Sequence, residues 1–234
     1  MENNIETDAL NTNEHLVKSE AFFDKYKKVI SAVVIGLIVV IGGIFLYHNQ
    51  IAGPNEEKAS TALGRGQEYF NNEMFDKALN GDGAGYEGFL KIASSYSSTD
   101  AGNLANLYAG LCYANLNKWN EAAKYLDAFD TEGDQMVSPA AVAALGDAYA
   151  HLNQLDKAVD CFKKAADKAD SKSKEGANNS LSPTFLVKAG EILESQNKKD
   201  EALEIYKKVK KDYVNSALVQ SAEIDKYIER ASIK

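Results

Sequence analysis

Apolar residues fall into two regimes along the chain. From Val29 to Tyr47 (VISAVVIGLIVVIGGIFLY) they run with no charge among them, and from about residue 55 they recur three and four positions apart between charged ones. The second pattern predicts amphipathic helices. Residues 55–234 contain no strand-like run of alternating Val, Ile and Thr, so this part reads as all-α. The nineteen residues of the first run predict a helix about 28 Å long at 1.5 Å per residue, close to the roughly 30 Å hydrocarbon core of a bilayer.

This run reads as a transmembrane signal anchor at 29–47 rather than a cleaved leader. A polar stretch of 28 residues precedes it, and His48-Asn49-Gln50-Ile51 follows where a small-residue cleavage site would stand. Lys25, Lys27 and Lys28 crowd its N-terminal flank, while the first cation beyond Tyr47 is Lys58. The positive-inside rule therefore places the N-terminus in the cytoplasm, with membrane lipid around 29–47. Residues 1–28 carry six acids, four lysines and few aliphatics, and are expected to be a cytoplasmic tail that does not fold by itself. Residues 48–54 read as a linker to an exported domain at 55–234. On the anchor, Ala32, Gly36 and Gly43 fall within about 40° of one another, a small-residue face where another helix could pack.

The exported part repeats. Glycines at 66, 110, 146 and 190 are each followed three residues later by Tyr69, Tyr113, Tyr149 or Leu193, and twelve residues later by Ala78, Ala122, Ala158 or Ala202. Paired helices account for this spacing, because a small residue lets two backbones cross closely. Leu126, Phe162 and Tyr206, four residues beyond the alanine, continue one face of the second helix. Asn117, Asn153 and Asn197 stand five residues before the alanine, where a residue tolerant of left-handed geometry would end the first helix. Asp76, Asn120, Asp156 and Asp200 are expected to cap the second helices, and Ser138-Pro139 and Ser182-Pro183 to open the first helices of repeats three and four.

These offsets resemble the tetratricopeptide repeat, a unit of about 34 residues. Glycine spacings of 44, 36 and 44 leave room for insertions. One is Asn80 to Gly85, which breaks the second helix of repeat one before Tyr86 to Ile92 resumes it. Another is the Lys/Ser/Gly/Asn stretch near 171–182, expected to be a flexible loop. The run Ala217 to Ala231 reads as a terminal capping helix with Leu218, Ile224, Tyr227 and Ile228 on its apolar side. The resemblance implies a solenoid of about four helix pairs plus that cap.

Composition narrows the function. With 26 Lys and Arg against 34 Asp and Glu, the net charge of −8 argues against nucleic acid. Gly81, Gly83, Gly85 and Gly88 follow helix rather than a strand and so do not form a dinucleotide loop. His15, His48 and His151 are too scattered for a metal site or a catalytic base. The pattern offers no enzyme site and no cofactor site. Cys112 and Cys161, among apolar neighbours of different repeats, read as isolated core cysteines.

Carried over from the repeat family, a concave surface of first helices would include Leu63 and Phe70 in repeat one, Leu104, Leu107 and Leu111 in repeat two, Ala143 and Asp147 in repeat three, and Val187 and Glu191 in repeat four. That surface begins apolar and becomes acidic, unlike the Lys- and Asn-lined grooves that grip a chaperone's acidic tail. Either the leucines form a ligand groove or a neighbouring element covers them. Residues 49–155 hold six Lys and Arg against fourteen Asp and Glu, a balance of −8, while 156–234 carry +2. The acidic half would be repelled by anionic headgroups.

Tail, anchor and repeats together resemble the YfgM family, ancillary subunits of the bacterial Sec translocon. Ala78-Leu79-Asn80-Gly81-Asp82-Gly83, Asp100 to Ala105 and Ile224 to Arg230 carry the likeness. It implies a non-enzymatic adaptor in the bacterial inner membrane with a periplasmic repeat domain. Implied partners are Sec translocon subunits, a membrane-anchored periplasmic chaperone of the peptidyl-prolyl isomerase type, and secretory polypeptides. A scaffold for another envelope assembly, in cell division or outer-membrane export, is the alternative.

Overall fold

A computed structural model describes residues 2–131, 133–171, 173 and 176–233, with side chains from Lys25 onward except those of His48 and Asn49. The order is α1 (Glu2–Tyr47), a π-helical turn (His48–Ala52), α2 (Gly53–Asn71), α3 (Phe75–Asn80), α4 (Phe89–Ser95), α5 (Asp100–Asn115), α6 (Trp119–Asp127), α7 (Val137–His151), α8 (Leu155–Ser171), α9 (Ser182–Ser195), α10 (Lys199–Asp212), α11 (Ala217–Gln220) and α12 (Glu223–Ser232). No strand occurs among the described residues. The chain forms two units, Met1–Pro54 and Asn55–Lys234.

The first unit holds the one helix among the described residues that is long and apolar enough to cross a membrane. Its side chains from Val29 to Tyr47 touch little, with Val34 48% and Val39 67% exposed. The backbone is helical from Glu2 and runs on into the apolar stretch. Propagating an existing helix avoids the costly first turn, which explains how a segment too polar to fold by itself extends one. Residues 48–54 form the π-helical turn and the opening of α2.

The second unit stacks helix pairs: α2 with α3 and α4, then α5–α6, α7–α8 and α9–α10, closed by α11 and α12. Its core is a chain of three clusters. The first joins Leu79, Phe89 and Ile92 to Cys112, the second Leu107 and Leu126 to Phe129 and Leu145, and the third Phe162 and Tyr206 to Val209 and Ile224. This layout, each pair buried by its neighbours, is the solenoid expected of the repeats.

The crossings lie at the repeating glycines. A Cβ on Gly110 would come 2.6 Å from Leu126 Cγ, and one on Gly190 2.6 Å from Tyr206 Cζ. At Gly146 the nearest atoms, Cys161 Cβ and Phe162 Cζ, are 3.2 Å away. In repeat one the residue four beyond the alanine is Asp82, and Gly66 packs instead on Tyr86 and Phe89, supplied after the insertion. That insertion is folded around Asp82. Its carboxylate accepts from the N–H groups of Tyr86 (3.0 Å) and Ala84 (2.8 Å) and from Tyr69 Oη (2.8 Å), and pairs with Arg65 (2.6 Å). Those bonds hold it well below the usual carboxylate range, the Tyr86 N–H first among them.

Asn117, Asn153 and Asn197 take positive φ of 58°, 57° and 61°, and Glu73 fills the same position in repeat one at 57°. The expected caps differ. α3, α6 and α10 are preceded by Met74, Lys118 and Lys198, and α8 begins at Leu155, so Asp76, Asn120, Asp156 and Asp200 lie inside the first turn. There the aspartates face the positive end of the helix dipole instead of bonding as caps. Ser138 and Ser182 are buried inside their helices. Asp134 takes the capping role at α7, accepting from the N–H groups of Met136 (2.8 Å), Val137 (2.5 Å) and Ser138 (3.0 Å), and Asn178 accepts from Ser180 (3.1 Å) and Leu181 (2.9 Å) ahead of α9. The terminal helix breaks in two at Ala222, whose φ is +57°, although Ile224 is fully buried and Leu218, Tyr227 and Ile228 pack on the core as expected. Of the expected flexible loop near 171–182, residues 172, 174 and 175 lie outside the described residues. Its described part is tied to Asp170, which accepts from Asn178 N–H (2.7 Å) and Ser182 Oγ (2.6 Å).

Candidate partner-binding face

First helices α5 and α7 carry apolar or small residues on nearly every side, whereas α6, α8, α10 and α12 are apolar on one face only. Each first helix is therefore packed by second helices and still keeps apolar positions for its outer face. The structure sorts the expected lining residues accordingly. Leu63, Ala143 and Val187 are buried in the clusters between repeats, while Phe70 stacks edge-on against Phe75 and Tyr108. Leu104 and Leu111 are half-buried, and Glu191 is exposed. Asp147 is half-buried and tied to Lys188 Nζ at 2.8 Å and 2.9 Å, so the acidic stretch of the face carries a built-in counter-ion. The same ammonium lies 5.2 Å from the Phe162 ring.

Leu107 and Leu111 come together with Met136, Val137, Ala140 and Ala141 around an apolar pocket of about 260 Å³ between α5 and the start of α7. Leu107 is only 7% exposed and belongs to the core as much as to the pocket floor. Met136, at 67%, and Val137, at 46%, form the exposed lip. The sequence reading missed both, because they precede the glycine by nine and ten residues, outside the repeat's periodic positions. Their signal was an adjacent Met-Val pair beside Asp134 in a polar connection. Asp134 holds the lip by closing the first turn of α7. Burial pushes its carboxyl up, but bonds from Ser138 Oγ and the Met136, Ser138 and Val137 N–H groups together lower it.

Other openings are more polar. One of about 310 Å³ lies among Asn179, Ser180, Thr184 and Asn215 near α9 and α11, and a shallow one of about 440 Å³ surrounds Asn153, Asp156 and Gln196. Among the described residues no three His, Cys, Asp or Glu are grouped to hold a metal. Cys112 and Cys161 are both free; burial pushes the Cys112 thiol up to about 12 and raises that of Cys161. Ala32, Gly36 and Gly43 lie on the apolar helix, and a Cβ at either glycine would meet nothing within 4 Å.

A tetratricopeptide repeat family model matches residues 104–131 and 185–216, and a second such model matches 140–167. These are the second, fourth and third helix pairs. Among solved structures, the kinesin light chain nearly identical TPR-like repeats of Podosopora anserina are similar in fold, with a TM-score of 0.56 at 11% identity over 75% of this chain and 86% of that one. A glutamine-to-methionine variant of that protein gives 0.53 at 11% identity, covering 75% and 93%. No curated protein matches in sequence. Tetratricopeptide repeats of this kind indicate a protein-interaction scaffold.

Proposed function

We propose that this chain is a non-enzymatic adaptor of the bacterial inner membrane, with its N-terminus cytoplasmic and its repeat domain periplasmic. In this reading the repeats hold a peptidyl-prolyl isomerase-type chaperone or an emerging secretory polypeptide beside the Sec translocon. The observation that carries it is an open apolar pocket on a tetratricopeptide scaffold whose chain also bears a membrane-length apolar helix. Met136 and Val137 are exposed side by side at the mouth of that pocket rather than singly. The likeness of residues 78–83, 100–105 and 224–230 to the YfgM family supports the translocon assignment.

Affinity purification of the full chain in mild detergent tests the reading. Translocon subunits and a periplasmic chaperone should dominate the recovered proteins. Recovery of a cell-division or outer-membrane export assembly in their place would move the adaptor to that assembly.

A further inference from the structure

We propose that the α5–α7 pocket receives one bulky aliphatic or aromatic side chain of a polypeptide segment flanked by Lys or Arg. The proposal rests on reading the repeat domain as a partner-binding scaffold and adds what that partner must present.

Size sets the first requirement. An enclosed cavity of about 150 Å³ holds a benzene molecule, so a pocket of about 260 Å³ accommodates a Phe or Leu side chain with room for its neighbour. Its lining of Leu107, Leu111, Met136, Val137, Ala140 and Ala141 has no charged group, so a polar side chain entering would lose water without gaining a partner. Methionine at the lip adapts to different apolar shapes.

Charge sets the second. There is no Lys or Arg between Lys91 and Lys118, and none between Lys124 and Lys157, so neither α5 nor α7 carries a cation. Asp100 opens α5, and Asp127, Asp130 and Asp134 lie in or beside the α6–α7 connection. Cations from later helices offset part of this: Lys168 Nζ donates to Thr131 Oγ1 (2.7 Å), Lys164 lines the same opening as Asp127 and Asp130, and Lys188 pairs with Asp147, which leaves Asp134, two residues before Met136, as the acid beside the lip. An apolar pocket in such a field attracts cationic flanks and repels acidic ones, giving specificity and faster encounter. The same field disfavours an acyl chain, which would bring an anionic headgroup.

The test uses full-length protein in nanodiscs of zwitterionic lipid and three short fluorescent peptides. One has a Leu-Phe centre between lysines, the second has glutamates in place of the lysines, and the third has serines in place of Leu-Phe. Anisotropy should show the lysine-flanked peptide binding at least about tenfold more tightly than either relative, with the preference over the glutamate form shrinking as salt rises. Met136→Lys and Ala140→Trp, both at exposed positions, should remove that binding while circular dichroism stays unchanged. Equal binding of the glutamate peptide, displacement by oleate at comparable concentration, or full binding by both variants overturns the proposal. If the wild-type chain co-purifies membrane partners but shows no peptide preference, the pocket chemistry falls and the adaptor reading stands. Peptide preference without membrane partners upholds the pocket and removes the adaptor reading.

Discussion

Gly190 and Gly146 occupy equivalent crossings with different tolerances. A Cβ on Gly190 would run into the fully buried Tyr206 ring, whereas one on Gly146 would lie 3.2 Å from Cys161 Cβ and Phe162 Cζ, a tight contact that only a slight shift relieves. Alanine in a helix gains about 1 kcal/mol over glycine from propensity, and overpacking typically costs about 1–3 kcal/mol. Gly190→Ala should therefore lower the unfolding midpoint of the repeat domain, and Gly146→Ala should leave it near wild type or above. Equal effects would mean that the crossings are equivalent after all. Asp82 gives a pH-dependent case. Its folded carboxyl is lowered by the N–H groups of Tyr86 and Ala84 and by Tyr69, so its stabilisation is complete above the unfolded value of about 3.9 and fades as pH falls towards the folded one. Denaturant unfolding of wild type and Asp82→Asn should show a constant gap from about pH 5 to 7 that narrows below about pH 4. A gap that widens on acidification would rule out this role. The crossing glycines and left-handed asparagines were legible because backbone sterics demand those residue types. Glu73 and the caps Asp134 and Asn178 were not, since position depends there on where the chain enters the helix.

On the scale of single elements, α7 joins stability to function through its first turn. Asp134 closes that turn on the N–H groups of Met136, Val137 and Ser138, and two of those residues are the lip of the apolar pocket. Losing such a cap typically costs about 0.5–2 kcal/mol. Asp134→Ala should thus lower the unfolding midpoint modestly, yet weaken capture of the lysine-flanked peptide more than the stability loss accounts for. A peptide affinity that is unchanged would detach the lip from the site. α1 offers the topological test. Lys25, Lys27 and Lys28 stand before its apolar stretch with no cation after it until Lys58, so protease added to spheroplasts should degrade the repeats and spare the N-terminal segment. Repeats digested only after lysis would reverse the orientation. Charge asymmetry of this kind is written in the sequence, whereas the π-helical turn at His48–Ala52 is not, because nothing in its composition distinguishes it from a linker.

For the whole molecule, helix pairing was legible from one periodic signal because each repeat buries itself against its neighbours, so local spacing determines contact. The site was legible only in part. Leu107 and Leu111 occupy periodic positions, but Leu63, Ala143 and Val187, equally apolar and equally periodic, are consumed by packing, and periodicity alone does not tell a core position from an exposed one. That distinction changes the choice of probe. Leu107→Asp would put a charge into the core and unfold the domain, while Met136→Lys removes binding from a folded one. In the proposed adaptor, joining such a domain to a membrane helix would raise its effective concentration near membrane partners without adding a contact. Protein lacking residues 1–47 should then bind the lysine-flanked peptide with the same Kd as the full chain, because the pocket lies within 55–234. Its recovery of membrane partners from detergent extracts at cellular concentration should fall by at least about tenfold, the scale on which tethering operates. Loss of peptide affinity on deletion would make the anchor part of the site, and undiminished partner recovery would show that the repeats need no tether.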